Sequence, residues 1–416
     1  MVLVRVSKGA FKQRCLEDIV GSRARRYLHL IAGAVMCWAF TDCDASAQPV
    51  VNVYPITETE ETVFSWARDR CDNEHIPDSP ARAFRSADGK VFLFASHYTN
   101  QPLSGNDLRS VIADCKLRFE AGMEPDPQRY NAKVWLQTFY TDDGKTIFSI
   151  GSSDYHGTWF NVCANPPKEN NKCWWSALVL AVSHDGGRTF TTSTPPEHVI
   201  ARAPHKFSVE LGPPAGFFTS SNIIKKDGWY YTLVFTFGYK EQTRGNCLMR
   251  TKDLASTTSW SAWDGIDYST KFISPLKPET EHPEHYRCRT VDKLQEPIRS
   301  LLWHEPSSQY IAIFSTPVRL KDGDGEYVRV HFRFSTSSDL LRWSDPKDII
   351  AFDSPHSCKK GIAAVAYPSI IDPRSNDPNF GTIQDSGFLY FTRFNAVKQC
   401  RMTMDRDLVR IPIRIQ

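Results

Sequence analysis

The feature that most constrains the fold is a loose internal repeat of a tight turn followed by an aromatic-rich strand. It occurs as DGKVFLFASH from Asp88, DGKTIFSIGSSD from Asp143, DGWYYTLVFTFG from Asp227, SSQYIAIFST from Ser307 and DSGFLYFTRFN from Asp385. Three copies run on into a second pattern, a strand ending in a Ser/Thr-Asp turn and an aromatic: ALVLAVSHDGGRTF, NCLMRTKDLASTTSW and VHFRFSTSSDLLRW. Asp-Gly turns reverse an extended chain, and β-branched and aromatic side chains suit a pleated surface, so each copy predicts paired strands. The later copies lie about 80 residues apart, room for four strands with long loops, and a repeat of that length predicts the blades of a propeller. The chain is therefore expected to be all-β, a five-bladed β-propeller of four-stranded blades, with six blades as the alternative. The C-terminal QCRMTMDRDLVRIPIRIQ is expected to supply outer strands of the blade that closes the ring. One inserted helix is expected over 106–121, capped by Asn106, with Leu108, Val111, Ile112 and Cys115 on one face.

The first residues differ from the rest. Arg23, Arg25 and Arg26 precede the apolar run YLHLIAGAVMCWAF, and a polar stretch then ends in Ala45-Ser46-Ala47. A basic segment, a short apolar run and a small-residue site make up a secretory signal, so 1–47 is expected to be a signal peptide and 48–416 a single domain, secreted or periplasmic. The apolar run is short for a bilayer, and no stable membrane span is expected after cleavage; an uncleaved anchor is the alternative. Eight cysteines then remain, Cys71, Cys115, Cys163, Cys173, Cys247, Cys288, Cys358 and Cys400. An even set in an exported chain predicts up to four disulfides, with sequence neighbours the simplest pairing. With 50 Lys+Arg against 47 Asp+Glu and no basic stripe, nucleic acid is not an expected partner.

SHDGGRTF, from Ser183 to Phe190, fits S-x-D-x-G-x-T-[WF] at every defined position and resembles the Asp-box of sialidase-type propellers. The resemblance implies a structural turn in which Asp185 accepts backbone hydrogen bonds and Phe190 packs inward, away from any axial chemistry. KDLASTTSW and STSSDLLRWSDP resemble the turns of five-bladed propeller glycosidases of the furanosidase and glycoside hydrolase family 43 type, and the blade pattern spans the mature chain. That resemblance implies a glycan substrate in an axial pocket where the inner strands converge, with an axial Ca²⁺ conceivable. No cofactor or metal site is read from the residues themselves.

Hydrolysis of a glycosidic bond ordinarily takes two carboxyl groups, one to protonate the leaving oxygen and one to act as base or nucleophile. Asp78, ahead of the first inner strand, resembles the general-base Asp of family 43 in position; the plainer reading is a turn Asp before Pro80. Asp154 in GSSDYHG, Glu210 in FSVELGPPAGFF and Glu296 in KLQEPIRSLLW are the candidate partners, with Asp154 and Glu210 preferred. Glu210 stands among prolines, glycines and aromatics, a setting that favours a protonated acid. Arg82, His156, Asn222, Glu296, Arg299, Tyr367 and Arg393 are candidate substrate-binding groups, and Trp135, Trp159, Trp174, Trp175 and Trp229 candidate stacking platforms. At Ser220-Ser221-Asn222 the chain departs from family 43, which often places a carboxylate there, so a glycan-binding or cell-envelope scaffold propeller without catalysis is the alternative reading. A sialidase is the third; it requires three arginines converging on one acid, for which Arg82, Arg299 and Arg393 are the candidates.

Overall fold

Strand formation follows the turn-and-aromatic repeat. The computed structural model describes residues 49–164, 172–277, 279–323, 325–355, 362–396 and 400–416, so the expected signal segment lies outside the described residues. Two short strands, β1 (Val53–Pro55) and β2 (Glu61–Phe64), lead into a meander of β3 (Pro77–Arg85), β4 (Val91–Ser96), β5 (Leu103–Gly105) and β6 (Ile112–Ala113). A second sheet holds β7 (Lys133–Tyr140), β8 (Ile147–His156), β9 (Trp174–Ser183) and β10 (Val199–Ala201). A third holds β11 (Ala215–Ser220), β12 (Ile224–Lys226), β13 (Trp229–Thr236), β14 (Gly245–Thr251), β15 (Ser261–Ala262) and β16 (Thr270–Lys271). β17 (Ser300–His304), β18 (Gln309–Asp322), β19 (Gly325–Ser337) and β20 (Lys347–Asp353) form the fourth, and β21 (Val365–Ile371), β23 (Ser386–Phe394) and β24 (Arg406–Ile415) the fifth. Between them β22 (Thr382–Ile383) adds in parallel to β17.

The sheets close into a ring because each shares an apolar core with the next. Phe84, Phe92 and Phe94 pack on Val134, Leu136 and Trp175 between the first and second sheets. Leu178 and Ile150 meet Val234 and Met249 between the second and third, and Leu233 and Leu248 meet Leu301 and Ala312 between the third and fourth. Ile311 and Phe332 meet Leu389 and Phe391 between the fourth and fifth, and Leu93 meets Tyr390 and Leu408 between the fifth and first. The chain is thus an all-β propeller. As the sequence predicts, the C-terminal segment is an outer strand of the closing sheet; β1 and β2, not foreseen, pair antiparallel with β24 and tie the two ends of the described chain together. The second and third sheets also touch edge to edge, where β9 and β11 pair in parallel. Gly216 permits this approach, since a Cβ there would lie 2.1 Å from the Ser176 carbonyl oxygen.

The Ser183–Phe190 turn is built as its residues imply. Asp185 Oδ1 accepts the backbone N–H groups of Arg188 (3.0 Å) and Thr189 (2.9 Å), Ser183 Oγ accepts that of Gly187 (2.8 Å), and Phe190 is buried against Phe94 and Phe139. The Ser337–Trp343 turn repeats the design, with Asp339 Oδ1 accepting from Leu341 and Arg342.

The expected helix over 106–121 is not formed. Ile112–Ala113 pairs with Leu103–Ser104, Asp107 caps a turn through the N–H groups of Arg109 and Ser110, and Cys115 is tied to Cys71. Ile112 is 73% exposed while Leu108 is buried, the opposite of a shared helical face. The neighbouring-cysteine pairing holds for Cys71–Cys115, Cys163–Cys173 and Cys247–Cys288. Cys400 is also disulfide-bonded, and Cys358 lies outside the described residues.

Buried asparagines staple adjacent sheets. Asn100, fully buried with φ +51°, donates through Nδ2 to the carbonyls of Tyr98 and Val134 and accepts the Leu136 N–H on Oδ1 at 2.8 Å. Asn246 does the same for the segment entering β17, through Leu294 O, Glu296 O and Ile298 N–H. Asn100→Ala is expected to cost about 3 kcal/mol or more, because several buried backbone groups lose their side-chain partner at once. Urea unfolding measures this, and a loss under about 1 kcal/mol would mean that water or rearrangement satisfies those groups instead.

Candidate active site

The inner strands change register where they reach the axis. Breaks fall between Pro77 and Arg82 in β3, Leu136 and Thr138 in β7, Phe217 and Thr219 in β11, and Ala366 and Ser369 in β21. Bulges of this kind re-aim side chains, and here prolines help produce them, since Pro77, Pro80 and Pro368 cannot donate to a ladder. Tyr367, just before Pro368, sits at φ +59°. The result is an axial cavity of about 250 Å³ lined by side chains from four sheets.

Asp78 lies at its edge, near the start of β3. Tyr367 OH donates to Oδ1 and Trp135 Nε1–H to Oδ2, both at 3.3 Å, and Arg406 forms an ion pair with Oδ1. Every one of these partners is a donor or a cation, so Asp78 is arranged as an acceptor. On β7 the alternation is plain: Lys133, Trp135 and Gln137 face the cavity while Val134 and Leu136 are fully buried in the core. The same alternation on β8 turns Asp154 and His156 to the cavity and Tyr155 to the core.

Asp154 is the electrostatic opposite of Asp78. It is 4% exposed, and burial pushes its pKa up to about 7, against the lowering effect of hydrogen bonds from Ser152 Oγ (2.6 Å) and Ser176 Oγ (2.8 Å). The charge of Asp78 raises it further, so the two carboxyl groups feel one another. His97 stands beside Asp78, 3.7 Å from Oδ2, with its other ring nitrogen 3.1 Å from Glu74, and burial holds its pKa below the ordinary value. His156 is stacked between Trp159 and Trp174, with ring centroids at 4.1 and 4.5 Å. These rings and Trp135 give the cavity an aromatic wall suited to the apolar face of a sugar ring.

Of the sequence candidates, Asp78, Asp154, His156, Arg299 and Tyr367 line this cavity, as do Trp135, Trp159 and Trp174. Arg82 is buried behind it, donating to Ala81 O and Ser369 Oγ. Glu210 is exposed in the Ser208–Leu211 turn, and Glu296 pairs with Arg244; neither lines the cavity. Asn222 accepts the Leu301 N–H at 3.0 Å and so joins two sheets, and Arg393 is ion-paired with Glu60. The three arginines that a sialidase would need therefore do not meet. Trp175 is core, and Trp229 stacks with Arg250 and Lys252 elsewhere. Sequence reasoning missed His97, Lys133, Gln137, Phe218 and Arg406; the period-two alternation of KVWLQTFY was the signal for Lys133 and Gln137.

A Ca²⁺ does not suit these residues. Hard cations take six to eight oxygen ligands. Here one carboxylate is ion-paired to Arg406 and the other resists ionisation, and among the described residues no group of three His, Cys, Asp or Glu side chains is placed to hold a metal ion. No helix among the described residues is long and apolar enough to cross a membrane.

Comparison with known proteins finds no matching family model and no matching curated protein. Among solved structures, the chain is similar to a protein of unknown function from Dyadobacter fermentans, at 10% identity and a TM-score of 0.48, covering 88% of this chain and 99% of that one. An alpha-L-arabinanase from Cellvibrio cellulosa matches at 12% identity and 0.38, covering 80% and 91% of the two chains. A putative exo-beta-1,3-galactanase from Bifidobacterium bifidum matches at 11% and 0.40, covering 86% and 94%.

Proposed function

We propose that this protein is an exported glycoside hydrolase acting at the axial cavity. The observation that carries the reading is a pair of carboxyl groups facing one cavity in contrasting environments, Asp78 among donors and Asp154 buried with its pKa raised to about 7. Such a pair divides the labour of glycosidic cleavage. Asp154 holds the proton and delivers it to the leaving oxygen, its carboxyl group held in place by Ser152 and Ser176. Asp78 acts as base toward water or as nucleophile toward the anomeric carbon. Tyr367 and Arg406 orient it, and the Trp135, Trp159 and Trp174 rings hold the sugar. The disulfides support an oxidising compartment, in keeping with export.

Incubating the purified protein with arabinan, xylan, fructan and a sialoside, and measuring released sugar, tests the proposal. Release from at least one of them is expected. A protein that binds a glycan tightly yet releases nothing from it would instead be a binding propeller.

A further inference from the structure

Two cations face the axial cavity with no carboxylate bonded to them among the described residues. Arg299, immediately before β17, lies over the ring of Tyr367 (5.2 Å) and within 6.0 Å of that of Phe218, and among the described residues no hydrogen bond or ion pair engages its guanidinium. Lys133 is boxed by aromatic faces, its Nζ 3.9 Å from the Tyr98 ring and 4.2 Å from that of Trp159, again with no carboxylate bonded to it. Burial holds both below their ordinary pKa, and Arg82, packed close behind Arg299, feels its positive charge. The carboxyl groups whose charge reaches these two cations are bonded elsewhere: Glu296 is ion-paired with Arg244, Asp78 with Arg406, and Glu74 sits against His97, while Asp154 resists ionisation. Arg299 is only partly buried, and a guanidinium partly withdrawn from water with no carboxylate bonded to it offers its planar fork of donors to an oxyanion brought by a ligand.

We propose that the glycan unit bound in this cavity carries an acid group, a uronate carboxylate or a sulfate ester, and that this oxyanion docks on Arg299 with Lys133 adding to the attraction. The inference rests on the glycan-active reading of the same cavity and narrows its substrate class. A neutral sugar would stack on the same tryptophans but leave both cations uncompensated.

Titrating the protein with glucuronate, glucose 6-sulfate and methyl glucoside, followed by tryptophan fluorescence and calorimetry, separates the cases. At least one acid is expected to bind ten or more times tighter than the neutral sugar, and the two acids together show whether carboxylate or sulfate is preferred. Arg299→Met is expected to lose that preference, and Arg299→Lys to keep part of it; circular dichroism confirms that both variants are folded. Equal binding of acid and neutral probes, an unchanged preference in folded Arg299→Met, or binding of neither acid overturns the inference. Its failure is distinguishable from that of the hydrolase reading. Neutral glycans cleaved at undiminished rate by Arg299→Met would leave the hydrolase standing without the acid. Selective acid binding without cleavage of any glycan would leave the reverse.

Discussion

Asp78→Asn is expected to reduce kcat for glycan hydrolysis about a thousandfold, with KM changed far less, since loss of a positioned base or nucleophile removes a contribution made mainly in the transition state. The substitution nearly preserves shape. The single amide oxygen can still accept from Trp135 Nε1–H, and the new NH2 can donate to the hydroxyl oxygen of Tyr367 in place of the bond it received, so the sugar-binding wall should survive. What it removes is charge, and Arg406, whose side chain is largely buried, is left unpaired. A fall in stability is therefore expected alongside the fall in rate. Steady-state kinetics on a cleaved glycan, paired with glycan binding by the same variant, reads the two apart. Undiminished hydrolysis would remove Asp78 from the mechanism.

Asp154→Asn should act in two ways of opposite sign. Activity falls about a hundredfold or more on natural glycans, because the proton for the leaving oxygen is gone, and falls less on substrates whose leaving group needs no proton. In the wild type, activity should decline as pH rises through about 7, the value to which burial pushes Asp154. Stability should move the other way. Between the ordinary value of 3.8 and about 7 the folded protein holds a proton at Asp154 that the unfolded chain has released, so the wild type loses stability as pH rises through that window. At about 1.4 kcal/mol per pKa unit the full penalty is on the order of 4 kcal/mol. The amide has no charge to bury. The variant should match the wild type near pH 4 and melt higher at pH 8, and a melting temperature no higher at pH 8 would count against the burial argument.

The legible part of the molecule was its local chemistry. DGKVFLFASH and its relatives predict strands because side-chain alternation and the dihedral demands of Asp-Gly turns act within a few residues. SHDGGRTF and STSSDLLRW predict turns for the same reason, since Asp185 and Asp339 satisfy backbone groups two to four positions away. The one local failure, over 106–121, also has a local look: its apolar spacing suits a helix, but disulfide closure to Cys71 and pairing with β5 overrode it. Glu210 misled in a related way. Its proline and aromatic neighbours suggest burial, whereas its backbone N–H is engaged by Ser208 Oγ in a surface turn and the side chain points to solvent.

What the sequence alone determined, then, is the repeated strand pairs, their turns and the all-β class, with neighbouring cysteines no more than the simplest disulfide pairing. Which carboxyl groups share a cavity was decided by the tertiary structure. Asp78 meets Tyr367 across 289 positions and Arg406 across 328, and neither approach leaves a trace in local periodicity. The meeting depends on ring closure through β24 and on register breaks at the inner strand ends, and a shift of a single residue in a strand would send each of those side chains to the opposite face. The contrast between Asp78 and Asp154 has the same origin: burial and neighbouring charge, not residue type, make one an acceptor and the other an acid.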